Sequence, residues 1–180
     1  MAKIRTKARA LDMLGRQQIA GIPTALSELF KNAHDAYADF VEVDYIRKKN
    51  LLLLRDNGLG MTHQEFEDRW LTIGTDSKFE DEDSLAQPEI DKTKKLRQVM
   101  GEKGIGRLAI AAIGPQVLVI TRAKRDEQTG DLVAAFVNWT LFSLPSLDLS
   151  DIEVPILRKK DGKPLTKDDV DDLLNQAKTN

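Results

Sequence analysis

Cysteine is absent from these 180 residues, which excludes disulfides and thiolate metal sites. Histidine is nearly absent: His34 and His63 are the only two, and no HExxH spacing joins them, which argues against a zinc hydrolase. No apolar run approaches the ~20 residues of a membrane helix, and the opening MAKIRTKARALDML lacks the apolar stretch of a signal peptide. A cytoplasmic protein with no membrane partner is the expectation. The net charge of −2 gives no global basic field for nucleic acid. Basic residues cluster at Lys3, Arg5, Lys7 and Arg9 and again at Lys92, Lys94, Lys95 and Arg97, as solvated faces commonly do. Nucleic-acid contact is left open but not indicated by charge. Repeats and low-complexity tracts are also missing. What remains, 41% hydrophobic and 31% charged residues, suits one globular domain with a sizeable core.

Along the chain, residues 5–20 have helical character and stop at Gly21. Thr24 is the expected N-cap of a second helix. FVEVDYI alternates Val41, Val43 and Tyr45 against Glu42 and Asp44, the period of a half-buried strand. RKKN is a turn, and LLLLR is a short apolar run expected as an inner strand of the same hairpin. Thr62 and Glu65 make a capping box for a helix through about Leu71. From Gly74 to Lys103 the chain is charged and poorly periodic, the composition of a lid, binding loop or disordered segment. GIGRLAIAAIG is an apolar helix closed by Gly114 and Pro115. QVLVITRAK and LVAAFVNWTLF form a second hairpin around RDEQTGD, followed by a short strand at 152–157 and a helix from Thr166. Hairpins impose antiparallel pairing and the intervening helices must cover one face, so the expected class is an α+β two-layer sandwich.

The chemistry is concentrated in three stretches. In ELFKNAHDAY, at about 100° per residue, Leu26, Leu29, Phe30, Ala33, Ala36 and Tyr37 gather on one side and Glu28, Asn32 and Asp35 on another. DNGLG at 56–60 sets an aspartate at a strand end before two glycines. GEKGIGR at 101–107 puts Gly101, Gly104 and Gly106 before a helix, where free N–H groups bind anions. Singly, these also fit a solvated helix face, an ordinary turn and a tight helix start. The last matches neither a Walker A loop nor a dinucleotide fingerprint. In one pocket the parts complement each other. Magnesium takes oxygen ligands and keeps waters, so Asn32 and nucleotide phosphates suffice. Glu28, one turn away, can deprotonate a water. A buried Asp56 can accept a hydrogen bond from an exocyclic amino group such as that of adenine, and the backbone at 101–106 can cover phosphates.

In this order and spacing the stretches resemble the boxes of the GHKL superfamily, named for gyrase, the heat-shock chaperone, histidine kinases and MutL, over roughly residues 20–125. The resemblance implies a Bergerat fold: a two-layer α+β sandwich with a mixed, mostly antiparallel sheet. It implies ATP and Mg²⁺ as cofactors. Glu28, Asn32 and Asp35 match the N-box, and Asp56, Gly58, Gly60 and Met61 the first glycine box. Gly101, Lys103, Gly104, Ile105 and Gly106 match the second. LTIGTDSK is similar to a stretch in the chaperone, MutL and MORC-like branches, so Ser77 and Lys78 join the candidate binding residues.

Histidine kinases usually lack the glutamate corresponding to Glu28, and no histidine precedes His34; hydrolysis is therefore favoured over phosphotransfer. The implied activity is a slow ATPase that orders a lid at about 74–103 and dimerises as a switch within a larger chaperone-like or DNA-processing protein. A nucleotide sensor without turnover is the alternative, and a histidine-kinase-like phosphotransferase is a further one. Family members carry a threonine on a later strand. Thr121 and Thr140 are the candidates, although neither follows a glycine at a strand start. The activating cation of a following domain is not visible, so residues 1–180 are expected to be a single N-terminal ATP-binding domain of a longer protein.

Overall fold

Gly21 separates the first two helices of the computed structural model, which describes residues 5–19, 21–72, 97–101, 106–125, 128–160 and 163–179. Helix α1 spans Ala8–Gln18 and α2 spans Ile22–Asp35. Thr24 is not the N-cap of α2: Gly21, at φ +94°, holds that position and Pro23 lies in the first turn. A proline there gives up an N–H that the helix leaves unpaired anyway. At the other end, Tyr37 donates its N–H to the His34 carbonyl and Ala38 to that of Ala33, both at 2.9 Å. That is a Schellman closure, with Tyr37 rather than glycine at φ +60°. A left-handed conformation costs an L-residue about 1–2 kcal/mol, and burial of the Tyr37 side chain holds it there.

Strands β1 (Val41–Ile46) and β2 (Leu51–Asp56) pair antiparallel from Val41↔Asp56 to Ile46↔Leu51. The expected half-burial of β1 is not found: Val43 is 39% and Tyr45 59% exposed. Alternation makes an apolar face there, shared with Leu52 and Leu54 of β2, but no described layer packs over it. For the same reason β2 is not an inner strand: among the described residues the hairpin is a two-stranded sheet in which both strands are edges.

The Thr62–Glu65 capping box is present, and the helix it opens continues from α3 (His63–Glu65) through a π turn at Phe66–Leu71. A 3₁₀ turn at Gly106–Ala109 leads into α4 (Ile110–Ile113), closed at Gly114. Strands β3 (Gln116–Arg125), β4 (Gln128–Asn138) and β5 (Ile156–Lys159) form a second antiparallel sheet in that order. The strands of the second hairpin run further than expected, leaving only residues 126–127 of RDEQTGD between them. WTLF leaves the strand, its Leu141 opening a 3₁₀ turn over Leu141–Ser143. Helix α5 (Lys167–Thr179) closes the described chain.

The core forms around β4. Val133 and Ala135 pack with Phe66, while Val137 joins Ala8, Leu11, Leu108, Trp139 and Phe142. Leu132 and Ala134 point to the opposite face and meet Leu173 of α5. The α+β class therefore holds, with antiparallel sheets and helices stacked on them. α5 adds cover to the sheet face away from α1, α3 and α4. Among the described residues no helix is long and apolar enough to cross a membrane.

Candidate functional site

Helix α2 is the spine on which the sequence motifs meet. Its Glu28 and Asn32 are one turn apart, and Gly106 of the second glycine stretch lies directly above them. A Cβ on Gly106 would stand 3.2 Å from Glu28 Oε2 and 3.6 Å from Asn32 Oδ1. The other Glu28 oxygen, Oε1, accepts a hydrogen bond from Lys31 Nζ at 2.7 Å. The carboxylate is thus aimed, with one oxygen on Lys31 and the other toward the glycine turn.

Asp35, the third member of the polar stripe, has a different task. Its Oδ1 accepts from Met100 N at 2.8 Å and its Oδ2 from Gly101 N at 2.9 Å. His34 Nδ1 lies 3.4 Å from Oδ1. A carboxylate accepting backbone N–H groups makes strong, charge-assisted bonds, so Asp35 grips the peptide where the second glycine stretch begins.

The first glycine stretch wraps the C-terminal end of the same helix. Leu59 N donates to the Ala36 carbonyl at 2.8 Å, and a Cβ on Gly58 would come within 2.7 Å of that oxygen. Asn57 Oδ1 accepts from Asp39 N at 2.8 Å and Phe40 N at 3.1 Å. Asp56 Oδ1 accepts from Gly58 N at 2.9 Å. The expectation of a buried Asp56 is corrected: the residue is exposed, because the two-stranded hairpin ends there with no described layer above it.

Gly60 crosses β3. At φ +60° a Cβ would fall 2.0 Å from the Arg122 carbonyl oxygen. The crossing is fixed by Lys124 N donating to the Leu59 carbonyl at 2.8 Å and Met61 N donating to Thr121 Oγ1 at 3.0 Å. Thr121 is thereby joined to the first glycine stretch, whereas Thr140 turns back on Asn138 Oδ1 at 2.6 Å. Thr121 sits in mid-strand, and its partner comes from 60 residues away. Arg125 completes the support, bonding both Glu65 oxygens at 2.8 and 2.7 Å and the Leu59 carbonyl at 2.8 Å. Burial pushes the Glu65 carboxyl up, but hydrogen bonds from the Thr62 backbone and from Arg125 outweigh it and the net shift is downward.

Of the sequence candidates, Glu28, Asn32, Asp35, Gly101 and Gly106 come together on α2; Gly58 meets its C-terminal end and is bonded by Asp56, while Gly60 and Met61 lie against β3. Ser77, Lys78, Lys103, Gly104 and Ile105 lie outside the described residues, as do positions 74–96 and 102–103 of the expected lid. Sequence reasoning overlooked Lys31, Asn57 and Arg97. Lys31 had a legible signal, being three residues from Glu28 on one helix face; the other two act through tertiary contacts. Two surface depressions, of about 680 and 300 Å³, lie beside α5 and at the end of α4, and neither includes a residue of the three stretches.

One helix thus carries a carboxylate and an amide beneath one glycine turn, and a second glycine turn closes on its C-terminal end. Residues 21–168 match the family described as histidine kinase-, DNA gyrase B-, and HSP90-like ATPase. The chain belongs to that family. It is 30% identical over 91 residues to chaperone protein HtpG of Wigglesworthia glossinidia brevipalpis, and 33% identical over 94 residues to that of Shouchella clausii. It is 37% identical over 86 residues to a protein of Herpetosiphon aurantiacus that bears the name type II restriction enzyme HgiDII. These stretches cover 50%, 52% and 48% of this chain but only 14%, 14% and 12% of the relatives.

Proposed function

We propose that this domain binds ATP with Mg²⁺ over α2 and hydrolyses it slowly, as the nucleotide switch of a larger chaperone-like protein. The observation that carries the reading is Gly106 seated over Glu28 Oε2 and Asn32 Oδ1 at 3.2 and 3.6 Å from its Cβ direction. A phosphate chain lying along that turn meets a carboxylate and an amide oxygen at once. Oxygen donors suit Mg²⁺, which binds through few protein ligands, substrate phosphates and water. Asn32, whose side-chain oxygen faces the glycine turn, is the assigned protein ligand. Bound Mg²⁺ would neutralise charge on the phosphates.

Glu28 orients the attacking water and takes its proton, with Lys31 holding the carboxylate's other oxygen. Asp56 accepts the adenine amino group. Gly58, Gly60 and Met61 carry the base side of the site, with Thr121 beneath them. Gly101 and Gly106 lie on the phosphate side, and the motif resemblance supports Lys103, Gly104 and Ile105 as phosphate contacts and Ser77 and Lys78 as nucleotide-binding residues. Lid ordering and dimerisation would couple turnover to the rest of the protein, an order–disorder switch of known type. The similarity to HtpG favours a chaperone-like setting. The HgiDII similarity supports a second reading, the same switch in a DNA-processing or defence protein.

The test is Glu28→Ala. General-base assistance is worth about 10²–10⁴ in rate, so hydrolysis should fall at least about a hundredfold. ATP affinity by calorimetry should stay within a few-fold. Equal turnover by wild type and variant would remove Glu28 from the chemistry. Binding without any wild-type turnover would instead make the domain a nucleotide sensor.

A further inference from the structure

We propose that Arg97 is a positioning residue for this site: it fastens the chain leading into the second glycine stretch to the C-terminal end of α2. It thereby sets where that stretch lies relative to Glu28 and Asn32. The proposal rests on the reading of the site as one for Mg·ATP, and goes beyond it by assigning a role to a residue that touches no substrate.

The argument begins with how α2 ends. Its last carbonyls carry the negative end of the helix dipole, and the Schellman closure uses those of Ala33 and His34. Arg97 adds its planar fork here. Nη1 donates to the Ala38 carbonyl at 2.7 Å and lies 3.4 Å from that of His34. Nη2 reaches Asp39 Oδ1 at 3.3 Å, and the guanidinium carbon stands 5.4 Å from the centre of the Tyr37 ring. Tyr37 is also the residue held in the left-handed conformation, which presents its ring to Arg97 at the turn.

Three residues further on, Met100 N and Gly101 N are bound by Asp35. Residues 97–101 are therefore attached at both ends to the last turn of α2 and the residues that close it, and Gly106 follows five residues later above Glu28. Truncating the Arg97 side chain removes the guanidinium contacts and leaves the Asp35 bonds and the 3.5 Å contact of Arg97 N with Tyr37 Oη, on a segment whose Val99 and Met100 are exposed. A guanidinium can serve two carbonyls, a carboxylate and a ring face together. An ammonium cannot. The predicted order of function is therefore arginine, then lysine, then alanine.

The experiment compares wild type, Arg97→Lys and Arg97→Ala by two measurements. The first is amide hydrogen exchange at Met100 and Gly101 without nucleotide, which reports local opening. Arg97→Ala should raise both rates about tenfold or more while the global unfolding midpoint is unchanged, with Arg97→Lys between. The second is Mg·ATP affinity, expected to weaken about tenfold or more in Arg97→Ala. Exchange rates and affinity within about twofold of wild type would overturn the proposal. So would full rescue by lysine, since charge alone would then suffice. If Arg97→Ala does not fold, Arg97→Lys carries the same comparison. A wild type that does not bind Mg·ATP would remove the nucleotide reading, while the exchange arm would still decide whether Arg97 fastens the segment.

Discussion

Gly60→Ala isolates the crossing of the first glycine stretch over β3. The new methyl would stand 2.0 Å from the Arg122 carbonyl oxygen and 2.7 Å from its carbon, so the backbone of one segment must move. The φ of +60° adds about 1–2 kcal/mol for any L-residue. Moving the segments apart also breaks the Lys124–Leu59 and Met61–Thr121 hydrogen bonds, each worth about 0.5–1.5 kcal/mol. The total is roughly 2–5 kcal/mol, and in a domain of this size each kcal/mol lowers the melting temperature by about 2–4 °C. Thermal unfolding followed by circular dichroism should show a loss of about 5–20 °C. Gly114→Ala is the matched control: its φ is −163° and the nearest atom to its Cβ is the Gln116 carbonyl oxygen at 3.9 Å. There alanine should leave the midpoint unchanged or raise it slightly, because it narrows the unfolded ensemble. A Gly60→Ala protein melting within about 1 °C of wild type would refute the crossing.

Two other predictions separate independent parts of the domain. Asn32→Ala should weaken Mg·ATP far more than magnesium-free adenosine, whereas Asp56→Ala should weaken both; calorimetry giving equal losses for both ligands in Asn32→Ala would contradict the metal assignment. Asp169 gives a pH signature. A hydrogen bond from Lys159 at 2.5 Å, with further bonds from Thr166, lowers its carboxyl from 3.8 to about 2. A depressed folded-state value means that the contribution is complete above pH ~4 and lost as pH falls toward 2. The stability difference between wild type and Asp169→Asn should therefore shrink across that window in chemical unfolding. A difference independent of pH would show that the carboxylate charge plays no part.

Local features of this fold were legible in sequence, and distant ones were not. The Thr62–Glu65 capping box is written within four residues and forms as expected. Gly21 and Pro23 carried the true start of α2, but Thr24 drew attention because hydroxyl caps are commoner than glycine ones. Alternation in β1 correctly divides Val43 and Tyr45 from Glu42 and Asp44. Yet a period of two says which residues share a face, not whether anything covers it, and here the apolar face is left open by the described residues. The same limit explains Asp56: following a run of leucines suggested burial, but the hairpin has no covering layer among the described residues and its last residue is exposed.

The polar stripe of α2 shows why motif recognition and motif geometry differ. Helical spacing puts Glu28, Asn32 and Asp35 on one side, and nothing in that spacing distinguishes their duties. The structure divides them through partners far along the chain. Gly106 arrives over Glu28 and Asn32, while the amides of Met100 and Gly101 come to Asp35 from 65 and 66 residues away. A carboxylate with both oxygens committed to backbone amides acts on the loop. A carboxylate with one oxygen on Lys31 and the other toward a glycine turn faces whatever enters that turn, which is the basis of the role proposed for Glu28. Asp35 and Glu28 are thus chemically the same group about two turns apart on one helix, and their different partners come from the segments that fold back onto them.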